Sequence, residues 1–191
     1  RLARLAIYER SREWPQARAV AEQLELSGEV SFSVRKAHYL CKQARELNAQ
    51  GDGGGAAKLL QTAILQVPDA PRPRLLLGQL QLNMGAASQA CDTLSHLFET
   101  GSVAAPLAAT SLVRASQAAQ RIPNTLSLLK SHYAQSPSID VRDAIVSLEK
   151  ANQATDEQAR HRYIEHMQKQ PSLLAASRWL AGADLGSEDT R

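Results

Sequence analysis

Apolar residues recur along this chain at intervals of three and four positions, with polar residues between them. The segments from His38 to Cys41 and from Ala90 to Leu94 lie inside two such stretches. This spacing places apolar side chains on one face of an α-helix. Residue types that favour strands never gather in alternating runs, and aromatic residues make up only 4% of the chain. The pattern therefore predicts an all-α protein.

The helical pattern repeats itself after 34 residues. Four positions of one copy have counterparts of similar size in the next: Ala44, Gly51, Ala56 and Leu60 correspond to Gly78, Gly85, Ala90 and Leu94. A helical hairpin needs small residues where its helices touch and a turn former between them. Pro68, Pro137 and Pro171 stand at equivalent places near hairpin ends, where a residue without a backbone N–H stops a helix.

A 34-residue helical hairpin is typical of the tetratricopeptide repeat. We predict a superhelix of antiparallel helix pairs, a single array over residues 1–191. Its repeats lie at about 1–31, 37–70, 71–104, 106–139 and 140–173, followed by a capping helix at 174–182 and a flexible tail at 183–191. A five-residue insertion near Gly28 follows the first repeat. The fourth repeat is irregular, because Val113 and Thr125 occupy places that are usually small.

Composition excludes several functional classes. The 22 Lys and Arg against 19 Asp and Glu give a net charge of +3, too small to indicate nucleic-acid binding through phosphate neutralisation alone. Cys41 and Cys91 form no CxxC pair, so we expect buried free thiols in a reducing compartment. The sequence contains no apolar run long enough to span a bilayer. It begins partway into a helical pattern, so we interpret it as part of a longer protein.

The candidate catalytic and ligand-binding motifs do not have the residue spacing that their chemistry requires. The glycine-rich segment from Gly51 to Gly55 lacks the Lys-Ser/Thr pair of a phosphate-binding loop, so we interpret it as a turn between helices. His161 and His166 would diverge by about 140° on a helix, and we interpret them as surface or interface histidines. Glu149 has the pattern of a solvated charge. We find no catalytic or metal-binding constellation and predict a protein that is not an enzyme and has no cofactor in this stretch.

A tetratricopeptide array has a concave face lined by the first helix of each hairpin. The places that point into it hold carboxamides, arginines and apolar residues, suited to a peptide or amphipathic helix that carries carboxylates. The candidate partner-binding residues are His38, Arg45, Asn48, Arg72, Gln79, Asn83, Arg114 and Gln117. The arginines are the strongest candidates because a guanidinium can clamp a carboxylate with two hydrogen bonds. Each could instead be a solvated or ion-paired residue.

Several strings resemble the LapB (YciM) family of lipopolysaccharide assembly proteins in order and spacing. They are residues 7–10 followed by Trp14 and Ala17, residues 36–41, 76–79 and 170–173. The resemblance implies an N-terminal membrane anchor, repeats on the cytoplasmic face of the inner membrane, and a C-terminal rubredoxin-like module that binds metal through four cysteines. Neither the anchor nor the module lies in this sequence, so the metal site is not carried over.

The same resemblance implies a function. Members of this family regulate lipopolysaccharide synthesis by presenting the LpxC deacetylase to the membrane protease FtsH, with the repeats as the contact surface. We therefore expect an adaptor scaffold that binds proteins. Two alternatives remain open: a structural module of a cell-envelope complex that oligomerises through its edges, and an accessory domain of an enzyme. The oligomeric state is not determined by the sequence.

Overall fold

The computed structural model describes residues 1–28, 31–152 and 156–184, and all regular structure in these ranges is helical. In chain order the helices are α1 Leu2–Ser11, α2 Trp14–Leu26, α3 Ser33–Ala49, α4 Gly53–Gln66, α5 Pro71–Asn83, α6 Ala87–Glu99, α7 Ala105–Ala118, α8 Ile122–Gln135, α9 Ile139–Ala151, α10 Asp156–Lys169 and α11 Leu173–Asp184. The prediction of an all-α protein is confirmed.

Consecutive helices pair as hairpins. Helix α3 begins four residues before the predicted start of the second repeat, and α7 and α9 each begin one residue before the predicted starts of the fourth and fifth. The pairs α1 and α2, α3 and α4, α7 and α8, and α9 and α10 pack together, and a hydrogen bond from Thr93 to Gln81 joins α6 to α5. Helix α11 packs on α10 and extends two residues past the predicted cap. Residues 185–191 of the predicted tail and residues 29 and 30 of the predicted insertion lie outside the described residues.

A left-handed residue ends the first helix of each of the first four hairpins: Arg12, Gly51, Gly85 and Gln120, with φ of 60°, 88°, 79° and 57°. In each case the next N–H donates to a carbonyl five residues back, as from Asp52 to Leu47 at 2.9 Å and from Arg121 to Ser116 at 2.9 Å. This pattern is the Schellman motif, which satisfies carbonyls that the helix end leaves free. Two of the four turns therefore form without glycine.

The glycine-rich segment is a turn followed by a helix start, as its spacing predicts. Gly51 adopts the left-handed conformation, and Asp52 caps α4 by accepting a hydrogen bond from the Gly55 N–H at 2.7 Å. The capping carboxylate satisfies one of the free donors at the helix N-terminus. The segment thus has a complete structural role.

The contacts divide the chain into two compact units, residues 1–93 and 94–191, with the boundary inside α6. The single array over residues 1–191 stays a prediction.

In the first unit, α2 packs on α3, and α4 and α3 both pack on α5. Ala17 and Ala56, which the repeat requires to be small, are fully buried. Their methyl groups allow neighbouring helices to approach closely, because the interior leaves no room for a larger side chain.

The second unit is built around α7, α8 and α9, with α10 and α11 packed beyond them. Leu112, Leu129, Val141 and Leu148 are fully buried in it. Thr125, the irregular residue of the fourth repeat, is also buried. The fourth hairpin therefore forms although it departs from the size pattern.

The interpretation of Glu149 as a solvated charge is wrong, and of the two histidines interpreted as surface or interface residues one is buried. Glu149 is buried, and its Oε1 lies 2.8 Å from Lys130 Nζ and 3.3 Å from a guanidinium nitrogen of Arg162. His166 is 1% exposed, whereas His161 is exposed. Glu149 and His166 are buried for one reason: α9 and α10 each pack on more than one neighbouring helix, so a polar residue can be enclosed by the next hairpin.

Cys41 and Cys91 are buried and form no disulfide, as predicted. Burial raises the pKa of the Cys41 thiol because the charged thiolate is poorly solvated there. Among the described helices, none combines the length and the apolar composition needed to cross a bilayer.

Candidate functional site

A groove with a cavity volume of about 360 Å³ opens between α3 and α5 in the first unit. Its apolar part consists of Ala44 from α3, Leu60 from α4, and Leu76 and Leu80 from α5. Its polar part consists of Arg45, Asn48, Gln79 and Asn83. We call these eight residues the α3–α5 groove. It combines an apolar surface with a few polar groups, the usual composition of a binding site.

Helical periodicity explains why these residues share the groove. Arg45 and Asn48 are three residues apart on α3, and Gln79 and Asn83 are four apart on α5, so each pair lies on one helix face. The repeat then places the two faces side by side, because α3 packs directly on α5. All four polar lining residues are among the eight candidates predicted from the sequence. Whether they bind a partner stays a prediction.

The polar groups of the groove are available to a ligand. Arg45, Asn48 and Asn83 are exposed, and no carboxylate in the described part of the chain pairs with Arg45. A guanidinium without an internal partner can accept an external carboxylate without first breaking an ion pair. Carboxamides supply both donors and acceptors, so they can bind backbone N–H and C=O groups of an extended segment.

Three further basic or imidazole groups, His38, Lys42 and Arg72, lie beyond Arg45 toward the start of α3. We call them the basic end. His38 and Lys42 both contact Trp14: the His38 ring centroid lies 6.5 Å from that of Trp14, edge-on, and Lys42 Nζ lies 5.8 Å from it. Arg72 comes from the first turn of α5 and acts electrostatically on both His38 and Cys41.

The pKa of His38 is lowered from 6.5, first by partial burial and then by the positive charges of Arg72 and Lys42. Glu9 opposes this shift but does not cancel it. His38 is therefore neutral at pH 7, since both burial and nearby cations disfavour an imidazolium.

Two carboxylates beside the basic end, Glu9 and Glu46, each accept a hydrogen bond from a neutral aromatic side chain. Glu9 accepts a short hydrogen bond from the Tyr39 hydroxyl, and burial and this bond raise the pKa of Tyr39. Glu46 accepts a hydrogen bond from Trp14 Nε1 at 2.7 Å. Trp14 also stacks on Tyr39 at 6.2 Å between centroids. These contacts join α1, α2 and α3 and fix the position of the aromatic rings beside His38.

Arg114 and Gln117, the remaining predicted site residues, lie on α7 in the second unit, and both are exposed. The structure thus brings four of the eight candidates to one groove and places His38 and Arg72 at the basic end.

The second unit contains a buried polar cluster that the sequence did not indicate. The Tyr133 hydroxyl and His166 Nδ1 are hydrogen-bonded at 2.5 Å. The Arg142 guanidinium carbon lies 3.9 Å from the centre of the Tyr133 ring, and Lys169 Nζ lies 5.4 Å from it. Burial and then Arg142 lower the pKa of His166. The cluster stabilises the packing of α8, α9 and α10 through a hydrogen bond and cation–π contacts.

No group of three or more His, Cys, Asp or Glu side chains in the described ranges is arranged to hold a metal ion.

Comparison with known proteins supports the repeat interpretation. Residues 47–110 match the family model of the tetratricopeptide repeat. This stretch includes the end of α3, all of α4, α5 and α6, and the start of α7. The predicted fold class, tetratricopeptide-type hairpins, is thereby confirmed, and this fold generally serves as a non-catalytic scaffold for protein interactions.

A crystal structure of a thermophilic TPR protein from Thermus thermophilus is similar to this chain at 15% identity, with a TM-score of 0.32. The match covers 77% of this chain and 98% of that one. A match this distant carries no argument about function. Among proteins with curated descriptions, none matches this chain. Membership of the LapB family therefore stays a prediction.

The apolar residues of the groove are not among the site residues predicted from the sequence. The sequence does mark Leu60, because the repeat requires a bulky residue at its position. Leu76 and Leu80 are four apart on α5, so their spacing shows that they share a face. That face borders a groove only because α3 and α5 leave a gap above Leu60.

Proposed function

We propose that this chain is a non-catalytic scaffold that binds a segment of a partner protein in the α3–α5 groove. One observation carries the proposal: an apolar surface of leucines is bordered by an unpaired arginine and three carboxamides within one groove. An apolar side chain of the partner would be buried against the leucines, while its polar groups would be held by Arg45 and the amides. This combination matches the way helical repeats recognise peptides.

The partners we propose rest on the resemblance to the LapB family. They are the LpxC deacetylase and the FtsH protease, which this chain would bring together at the cytoplasmic face of the inner membrane to regulate lipopolysaccharide synthesis. The membrane anchor and the rubredoxin-type metal module would belong to other parts of the same protein. No nucleic acid and no cofactor take part in the interaction proposed for this chain.

Charge reversal in the groove, at Arg45, and at its basic end, at Arg72, tests this function. The double variant Arg45→Glu with Arg72→Glu should abolish capture of purified LpxC or of the soluble part of FtsH by the immobilised chain. Arg18→Glu with Lys58→Glu is the matched control, because it changes the charge equally on α2 and α4, outside the groove. Both variants should keep the helicity and melting temperature of the native chain. Capture that survives the groove variant would show that the partner binds elsewhere.

A second candidate function, self-assembly through the edges, is favoured by apolar side chains on the first and last helices. Leu2 and Ile7 of α1 are 57% and 63% exposed, and Leu173 of α11 is 92% exposed. Exposed apolar surface of this kind is typical of interaction sites. Light scattering should then show a size that increases with protein concentration, and Leu2→Ser with Ile7→Ser should abolish the increase. A strict monomer over the whole concentration range would count against this candidate.

A further inference from the structure

The basic end and the α3–α5 groove form a continuous strip along α3. From His38 to Asn48 the helix advances ten residues, or about 15 Å. This length corresponds to about five residues of extended chain. Because Arg72 lies at the start of α5 and Asn83 at its end, the strip has a cationic end and a carboxamide end.

The cations of the basic end form no ion pair among the described residues. Glu9 and Glu46 lie beside the Trp14 and Tyr39 rings, and each accepts a hydrogen bond from a neutral donor, the Tyr39 hydroxyl and the Trp14 indole respectively. No salt bridge in the part of the chain that the structure describes involves Lys42 or Arg72. The two cations are therefore free to bind an external anion.

His38 occupies a position where an incoming anion would change its protonation. The ring lies against Trp14 of α2 and next to Lys42 on its own helix. The charged and titratable groups that act on it or contact it are Glu9 of α1, Tyr39 and Lys42 of α3, and Arg72 of α5. Two further titratable groups of α3 lie close to these: Arg72 acts on Cys41, and Glu46 accepts a hydrogen bond from the Trp14 indole. An anion bound between Lys42 and Arg72 would screen the charges that keep the imidazole neutral.

We infer, on the basis of the proposed function, that the basic end receives a carboxylate side chain of the bound segment and that His38 takes up a proton from solvent when this carboxylate enters. The site thus prefers acidic extended segments with an apolar residue close to the acid. Binding at this end is coupled to pH through His38: the affinity increases as the pH falls from 8 to 6, while the carboxylate itself stays ionised throughout this range.

Two fluorescein-labelled probes test the inference: a short peptide in which a central Leu is flanked by Glu, and the same peptide with Gln in place of Glu. Binding to the whole chain is measured by fluorescence anisotropy at pH 8 and at pH 6. We expect the Glu peptide to bind more tightly than the Gln peptide, and only the Glu peptide to gain affinity at pH 6, by severalfold, because its carboxylate favours the protonated imidazole. NMR of the His38 imidazole should show its pKa rising when the Glu peptide is added.

Single substitutions test the roles of Lys42, Arg72 and His38 in peptide binding separately. Lys42→Gln and Arg72→Gln should each weaken Glu-peptide binding at both pH values and make it less dependent on salt. His38→Gln should flatten the pH dependence. Lys58→Gln, which removes an exposed cation on α4 outside the groove, is the matched control and should behave like the native chain.

Each negative result would overturn a different part of the inference. Equal binding of the Glu and Gln peptides would overturn the carboxylate subsite, as would the absence of Glu-peptide binding. Preference for the Glu peptide without a pH effect would overturn the proton uptake. In either case, loss of LpxC or FtsH capture by Asn48→Ala with Asn83→Ala would still support the groove as the partner site. If that variant also captures normally, the proposed function itself is wrong.

Discussion

Gln120 is held in a conformation that glycine adopts more easily. It has φ of 57° at the turn between α7 and α8, the position that Gly51 and Gly85 occupy in the two preceding hairpins. Its side chain is exposed, and the Schellman hydrogen bonds of this turn involve only backbone atoms. The substitution Gln120→Gly should therefore remove strain without removing a side-chain contact.

The expected gain follows from two opposing terms. The left-handed conformation costs a residue with a Cβ about 1–2 kcal/mol. Glycine loses more conformational entropy on folding, which offsets about 0.5–1 kcal/mol of that gain. The net stabilisation should be about 0.5–1 kcal/mol, which raises the melting temperature of a chain of this size by about 2 °C.

Thermal unfolding followed by circular dichroism measures this effect, with two comparison variants. Gln120→Ala shortens the same side chain but keeps its Cβ, so it should leave the melting temperature nearly unchanged. Gly51→Gln should lower stability by a similar amount, because a Cβ at Gly51 meets no atom within 4 Å and the penalty comes from the backbone alone. Equal melting temperatures for Gln120→Gly and Gln120→Ala would refute the reasoning.

Three other predictions concern a cap, a buried histidine and a close helix contact. Asp52→Ala should cost about 1 kcal/mol in urea unfolding, because the Gly55 N–H loses its acceptor, and Asp52→Ser should recover most of it. The pKa of His166 is lower in the folded chain than the 6.5 of the unfolded one, so its stabilisation is present above pH 6.5 and lost as the pH falls through the folded value. The urea midpoint should accordingly fall between pH 7 and pH 5, and less steeply in His166→Gln; equal slopes would contradict this. Ala56→Leu should destabilise by about 1–3 kcal/mol through overpacking of a fully buried site, and an unchanged midpoint would show that α4 can shift.

Half of the predicted site residues could be assigned to one groove from spacing alone. Arg45 and Asn48 share a face of α3, and Gln79 and Asn83 share a face of α5, because the period of an α-helix is fixed. The 34-residue repeat then predicts that these two helices are neighbours. The turns were only partly predictable: glycine marks two of them, but Gln120 adopts the left-handed conformation without any local signal.

The buried polar residues could not be predicted in the same way. The sequence interpretation placed Glu149 on a solvated face and His166 at a surface or an interface. They are enclosed because α8, α9 and α10 pack on one another, and each then finds a partner on another helix. A charged residue is buried only when such partners are present, and partners on other hairpins are not visible in a local pattern.

The sequence by itself determined the 34-residue succession of hairpins, because small residues, turn formers and helix stops recur at that spacing. The fourth hairpin and two of the turns form without the residues that the pattern requires. The tertiary structure decided the contacts between polar side chains. Trp14 bonds to Glu46 and Tyr133 to His166 across 32 and 33 residues, so each bond joins one hairpin to the next. The tertiary structure also decided that Glu9 and Glu46 are occupied while Lys42 and Arg72 are not. Charge counts are a property of composition, but which charges remain free for a partner depends on side-chain geometry.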